Sequence, residues 1–354
     1  MTKFHKLKVS DIRKETADCV SVAFDIPASL KEEYKFIQGQ FLTLKLFIDG
    51  EEVRRSYSIC SSPHENEMRV AIKRVKDGKG SNFVNDILKD GNEIEIMTPM
   101  GNFHSPMNSE HKKNYVLFAG GSGITPIFSI IKTVLFAEPN STLQLFYGNV
   151  NEEATIFRKQ LDELNLKNPS RLSIYYILDK PVQDLPDLQK GMMTEDKVKI
   201  LSQKFVDFKL DNEFFICGPT PMMNNVKNVL DNLNVEKNRI HIEYFTSSID
   251  APEKVLAPSE NITSHVTVVQ YGIETSFELS SNGKVILDAA LEQGVDAPFA
   301  CKGAVCATCR AKLLEGKVHM NKNFALTDSE IAEGFILTCQ SHPLTPVVKV
   351  DYDV

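Results

Sequence analysis

The chain has 354 residues, more than one hydrophobic core ordinarily serves, so two or three domains are expected. Hydrophobic residues at 42% and charged residues at 25% leave enough apolar side chain for real cores. The net charge of −7 argues against nucleic acid as a partner, since phosphate binding wants a basic surface, and no uncharged apolar run reaches the ~18 residues of a membrane span. The opening "MTKFHKLKVSDIRK" is charged where a secretory leader would be apolar, so a cytoplasmic location is expected. Disulfides are then unexpected, and the seven cysteines are read as thiols or thiolates.

Residues 1–110 alternate in period two, as in "CVSVAFDI", "QFLTLKLFI" and "MRVAIKRV", with Gly, Asp, Asn and Pro between the runs. That pattern predicts short antiparallel strands closing a small β-barrel, with "SNFVNDIL" as its helix. Within it, "RRSYSICSSP" places Arg55, Tyr57 and Ser58 together. An arginine can pair with a phosphate, a tyrosine offers a flat face, and a serine can bond a ring nitrogen. An amphipathic strand with a surface arginine would read the same way. In "GKGSNFVND", Gly78, Gly80 and Ser81 precede the helix, so backbone N–H groups and the helix dipole can receive a phosphate. A plain turn before a helix is the alternative.

Residues 111–246 change character. "YVLFAGG", "LQLFYGN", "LSIYYIL", "EFFICGP" and "IHIEYF" are apolar runs without alternation, as expected of strands buried on both faces. Helical stretches such as "TPIFSIIKTVLF", "EEATIFRKQLDEL" and "TPMMNNVKNVL" separate them, which predicts a doubly wound parallel α/β sheet. Thr125-Pro126 and Thr220-Pro221 suit an N-cap followed by the first helical residue. "AGGSGITP" follows the first of these strands. Gly120, Gly121 and Gly123 permit a tight turn and close approach to a pyrophosphate, with Thr125 expected to cap the helix aimed at it. The turn departs from G-x-G-x-x-G, and an ordinary connection between strand and helix remains open. Cys217-Gly218-Pro219 ends the fourth strand, where the cysteine is either a small wall for a bound ring or a core residue.

Residues 247–262, with two prolines and no periodicity, are expected to form a linker. From 263 to 354 alternation returns, followed by a short helix "VILDAALEQ", a cysteine loop and late strands, an α+β pattern. Thr327 and Glu330 have capping-box spacing. The loop reads Cys301-x4-Cys306-x2-Cys309, with 29 residues before Cys339. A zinc site would show a second knuckle, and a redox dithiol would follow a strand in a βαβ unit. The spacing is that of a plant-type 2Fe–2S centre, whose two irons need four thiolates. Gly303, Ala304 and Ala307 are small enough to let backbone N–H groups reach the sulfurs.

The stretch "PFACKGAVCATCRAKLLEGKV…LTCQSHPL" resembles the C-terminal ferredoxin domain of multicomponent oxygenase reductases, and "RRSYS" resembles the R-x-Y-S flavin signature of the ferredoxin-NADP+ reductase superfamily. "TPMGNF" is similar to the segment closing its flavin domain. The resemblance implies a flavin β-barrel, a nucleotide domain and a β-grasp ferredoxin domain, with FAD, a 2Fe–2S cluster and NADPH or NADH as cofactors. It implies that Arg55 meets the flavin pyrophosphate, Tyr57 packs on the isoalloxazine, and Ser58 lies near its reactive nitrogen. Gly78, Gly80 and Ser81 would contact the FAD diphosphate. Gly120, Gly121, Gly123, Thr125, Gly218 and Pro219 would hold the nicotinamide nucleotide, with Cys217 beside its ring and Glu243 and Phe245 approaching the flavin. The metal ligands would be Cys301, Cys306, Cys309 and Cys339. "YVLFAGGSGITPIFSIIKTVL" and "TCQSHPL…VDYD" are most similar to reductase subunits of ring-1,2-phenylacetyl-CoA epoxidases, which implies a di-iron oxygenase as electron acceptor. Val150 stands where NADPH-dependent relatives often carry arginine, and Glu152 or Glu153 could accept from the ribose of NADH, while Arg158 and Lys159 could serve a phosphate. Another hydroxylase, ring oxygenase or desaturase as acceptor, or a redox-sensing module, would use the same residues.

Overall fold

The computed structural model describes residues 3–245 and 261–354. The expected linker at 247–262 lies outside them but for its last two positions. The chain divides into two compact units, one of Phe4–Val53 with Tyr57–Glu243, the other of Tyr244–Val354 with the short stretch Arg54–Ser56.

The first unit begins with six antiparallel strands, β1 (Phe4–Thr16), β2 (Cys19–Asp25), β3 (Phe41–Ile48), β4 (Glu51–Ser58), β5 (Met68–Lys73) and β6 (Glu93–Met97). Their order is β4-β3-β6-β1-β2-β5. The backbone just past β4 pairs with β5, Ile59 opposite Val70, so the two edges meet as the predicted barrel requires. Alternate residues point inward and fill it: Leu7 and Val9, Val22 and Phe24, Leu42, Leu44 and Leu46, Val70 and Ile72, Ile94 and Ile96. Helix α1 (Lys79–Asp86) adds Val84 to the same core.

The same unit continues into β7 (Asn114–Gly120), α2 (Ile124–Ala137), β8 (Thr142–Asn149), α3 (Arg158–Lys167) and β9 (Leu172–Leu178). It ends with α4 (Glu195–Phe205), β10 (Asn212–Cys217), α5 (Thr220–Asn232) and β11 (Ile240–Glu243). All neighbours are parallel, in the order β11-β10-β7-β8-β9. Every residue of β7 and β10 is buried, which explains why neither alternates. Strand order reverses between β7 and β10, and the crevice at such a switch point is where open α/β sheets bind ligands.

Two expected caps are corrected. Helix α2 starts at Ile124 with Gly123 at the N-cap, because a 3-10 turn at Gly121–Gly123 already winds the chain. Thr125 sits inside the first turn and donates Oγ1 to the Ser122 carbonyl at 3.0 Å. Helix α5 is preceded by Pro219 at the cap, in extended conformation, with Thr220 already helical. Helix α3 is shorter than its sequence pattern: it starts at Arg158, after Phe157 takes a left-handed φ of 60°.

The second unit has β12 (Thr263–Gln270), β13 (Ile273–Ser280), α6 (Ile286–Glu292), β14 (Arg310–Glu315), β15 (Val318–Met320) and α7 (Asp328–Ala332). Then come β16 (Phe335–Leu337), β17 (Ser341–Pro343) and β18 (Val347–Asp351). The main sheet runs β13-β12-β18-β14-β16, and β15 pairs with β17. Helix α6 buries Ile286, Leu287 and Ala290 against it. The capping box at Thr327 and Glu330 is formed in both directions.

Candidate cofactor sites

Strand β4 ends at the sequence-predicted flavin residues. Arg55 is exposed and donates Nη1 to the Arg54 carbonyl at 2.7 Å. Tyr57 is half-buried and packs on the barrel core, and Ser58 is buried. Ser58 Oγ donates to Glu243 Oε2 at 3.0 Å, although 185 positions separate the two residues. Register puts Glu243 directly beside Cys217. Packing around the Glu243 carboxyl pushes its pKa up to about 8, against which the Ser58 hydrogen bond works. Burial, and then the neighbouring Glu243 charge, pushes the Cys217 thiol well above its ordinary range. Cys217 is thus a neutral thiol, suited to walling a pocket and unsuited to nucleophilic attack. Phe245, the last residue of the first described segment, is exposed.

Before α1, Gly78 is at the N-cap and Gly80 and Ser81 lie buried in the first turn. Ser81 Oγ accepts from the Val75 N–H at 3.1 Å and donates to the Gly78 carbonyl at 3.3 Å. The hydroxyl therefore shapes the loop that leads into α1. A side chain on Gly78 would lie 2.6 Å from that hydroxyl.

The two switch-point turns need glycine because their backbones touch. A Cβ on Gly123 would run into the Cys217 carbonyl, and one on Gly120 would sit 2.5 Å from Pro219 Cδ. On Gly218 it would be 2.8 Å from the Gly120 nitrogen. "AGGSG" and "CGP", about a hundred residues apart in the chain, are thus two halves of one surface. Gly121 has a left-handed φ of 53°, and its carbonyl accepts from the Tyr147 hydroxyl at 3.0 Å. A Cβ there would lie 3.8 Å from Lys73 Nζ, so β5 delivers a cation to this turn. Sequence reading missed Lys73, since nothing in the pattern links β5 to a turn 48 residues later.

At the end of β8, the Glu152 carboxylate accepts from the Val182 and Gln183 N–H groups at 2.9 and 3.3 Å. It is spent on the loop, which weakens the ribose role considered for it. Arg158 lies over the Tyr176 ring, 4.9 Å from its centre.

In the second unit, the loop from Cys301 to Cys309 has three non-glycine residues in left-handed conformation: Lys302 (φ 51°), Ala304 (φ 67°) and Ala307 (φ 51°). Alternating handedness curls successive N–H groups toward one side, as in anion-binding nests. The Gly303 N–H donates to Cys301 Sγ at 3.2 Å, and the Val305 and Cys306 N–H groups also favour the Cys301 thiolate. Cys306, Cys309 and Cys339 are buried, and Cys301 is partly exposed. Cys339 is registered by its neighbour: Thr338 donates its N–H and its Oγ1 to the Cys309 carbonyl at 3.2 and 2.9 Å. Tyr352 in turn donates to Thr338 Oγ1 at 2.7 Å.

The four thiols form two hydrogen-bonded pairs, Cys301 with Cys306 and Cys309 with Cys339. The bond from Cys306 draws Cys301 down to about 6, and the bond from Cys309 lowers Cys339, while the donor of each pair is raised. Among the described residues no three His, Cys, Asp or Glu side chains are grouped to hold a metal ion. A 2Fe–2S centre, with two irons taking two thiolates each, would draw on all four thiols.

The chain matches three domain families: an oxidoreductase FAD-binding domain over residues 6–105, an oxidoreductase NAD-binding domain over 117–228, and a 2Fe-2S iron-sulfur cluster binding domain over 268–344. It is 41% identical to one of the subunits of the 1,2-phenylacetyl-CoA epoxidase of Escherichia coli K12, covering 100% of this chain and 99% of the relative. It is 33% identical to the ferredoxin reductase component of the 3-ketosteroid-9-alpha-monooxygenase of Rhodococcus rhodochrous, over 98% and 96% of the two chains. Among solved structures, phthalate dioxygenase reductase superposes with a TM-score of 0.58 at 24% identity, over 98% of each chain. An intact type IV self-sufficient cytochrome P450 monooxygenase gives 0.71 at 20% identity, over 98% of this chain and 41% of that one. Both share the fold. The chain belongs to the family of oxygenase reductase components that carry an FAD-binding, an NAD-binding and a 2Fe–2S domain, and it is an NAD(P)H-dependent oxidoreductase.

Proposed function

We propose that this reductase serves a di-iron oxygenase of the phenylacetyl-CoA epoxidase kind in the cytoplasm. The whole-length identity of 41% to the E. coli epoxidase component supports the acceptor, against 33% for the steroid monooxygenase component. The observation that carries the chemistry is the meeting of Ser58, Glu243 and Cys217 at the sheet's switch point, next to the interlocked glycine turns.

When bound, FAD accepts hydride from NAD(P)H as an electron pair and the 2Fe–2S centre passes electrons on one at a time. The chain's part is to hold and orient. Arg55 and the N–H groups behind Gly78, Gly80 and Ser81 would take the FAD phosphates, with Tyr57 against the ring system. The turn Gly120–Thr125 and the Lys73 ammonium would take the nicotinamide pyrophosphate, with Gly218 and Pro219 shaping the far wall. Cys217 leaves room for the nicotinamide ring. Ser58 and Glu243 would sit at the reacting edge, where a carboxyl still protonated near neutrality can donate a hydrogen bond. Phe245 would approach the flavin. Cys301 with Cys306, and Cys309 with Cys339, would each hold one iron.

The test is reconstitution. The purified holoprotein should show flavin and iron–sulfur absorbance and be bleached by NADH or NADPH. It should support epoxidation of phenylacetyl-CoA by the matching oxygenase components at many times the rate it supports a steroid or aromatic-ring hydroxylase. Bleaching without transfer to the epoxidase would overturn the acceptor, and no bleaching would overturn the oxidoreductase roles of these residues.

A further inference from the structure

Helix α2 is apolar along most of its length, yet Ser129 and Thr133 stand one turn apart on it with exposures of 0% and 1%. A buried hydroxyl is costly unless it is bonded. Both are bonded to the segment that follows the flavin strand. Ser129 Oγ donates to the Ser61 carbonyl at 2.6 Å. Thr133 Oγ1 meets Ser62 Oγ at 3.1 Å and donates to the Ser129 carbonyl at 2.7 Å. On the same helix, Lys132 reaches Glu65 at 2.5 Å and Phe136 stacks on His64, with 4.0 Å between ring centres.

Around these bonds the packing is apolar. Cys19, Cys60 and Ala71 of the barrel share one cluster with Ile124, Ile127, Phe128 and Ile131 of α2. Apolar contact is non-directional and tolerates sliding, whereas hydrogen bonds weaken steeply off their geometry. The levers are also short. Ser61 lies three residues beyond Ser58, and Ser129 lies one turn beyond Thr125. Only these few residues separate the hydroxyl bonds from Ser58 on one side and from Thr125 on the other.

We infer that the Ser61–Ser129 and Ser62–Thr133 bonds are positioning contacts for hydride transfer. They fix the register at which the nucleotide turn Gly120–Thr125 faces the flavin-side residues Tyr57 and Ser58. The inference rests on the proposed roles of those two elements.

The experiment compares wild-type holoenzyme with Ser129→Ala, Thr133→Val and Thr133→Ser. It follows flavin reduction by rapid mixing with NADH and NADPH, together with the long-wavelength charge-transfer absorbance of the nucleotide–flavin complex and thermal denaturation. A misplacement of about 1 Å can cost up to about a hundredfold, so Ser129→Ala and Thr133→Val should lower the limiting rate roughly tenfold or more and weaken the charge-transfer band, with nucleotide affinity changed less than about twofold. Thr133→Ser keeps the hydroxyl and should stay near wild type. Unchanged limiting rates in the first two variants, or equal losses in Thr133→Ser and Thr133→Val, would overturn the inference. Should Ser129→Ala fail to fold, the two Thr133 variants decide the matter between them. A wild-type flavin that neither nucleotide reduces would overturn the proposed function and this register together.

Discussion

Glu243 carries the molecule's most consequential perturbed carboxyl. Its folded pKa of about 8 lies above the ordinary 4.5, so between those values the native state keeps a proton that the unfolded chain has released. Stability contributed at this site therefore falls as pH rises from about 4.5 toward 8, the reverse of a salt-bridged carboxylate. Glu243→Gln should remove that slope, gaining stability over wild type at pH 8 relative to pH 5 in urea titrations of the protein. A variant whose pH dependence matched wild type would rule out a raised pKa. Gly123 gives a second prediction at this scale. Its missing Cβ leaves room for the Cys217 carbonyl, so Gly123→Ala should cost about 1–3 kcal/mol through backbone displacement. Urea denaturation measures the cost, and nucleotide affinity should fall with it. At Gly50, where nothing lies within 4 Å and only the left-handed φ of 81° is at stake, Ala should cost about 1 kcal/mol.

Among the elements, those whose residues answer to one local rule were legible in the sequence. Alternation marked the barrel strands, and its loss marked β7 and β10, because burial on one face or two is written in every second residue. The capping box at Thr327 was readable because both partners lie within one turn. Thr327→Ala should therefore cost about 1 kcal/mol, seen in thermal denaturation, while leaving the cluster's visible spectrum unchanged. Thr125 misled the reading, since the 3-10 turn before it starts the helix two residues early, where Gly123 fits against Cys217. That is a tertiary fact. The same limit hid Lys73, the Ser58–Glu243 bond and the engagement of Glu152 with Val182 and Gln183, each made between segments well separated in the chain. The site's residue types were visible, and their pairings were not.

For the molecule as a whole, the cofactor stations are built on different frames. Apart from Arg55 and Phe245, the residues proposed for the flavin and the nucleotide lie in the first unit, and the four thiols lie in the second. Cys306→Ser should therefore abolish the iron–sulfur absorbance and transfer to the oxygenase while flavin reduction by NAD(P)H proceeds at close to the wild-type rate. A variant that kept its cluster spectrum would remove Cys306 from the ligand set, and one that lost flavin reduction as well would show the two frames to be interdependent. The second frame has its own order of assembly. Strand β18 lies between β12 and β14 in the sheet, and its parallel pairing sets Val266 against Val348, some eighty residues apart. The ribosome makes all four cysteines before it makes the strand that joins the two sides of that sheet. The thiols are thus made before the sheet that carries them can close, and the packing of this frame waits on β18, the strand made after all of its neighbours.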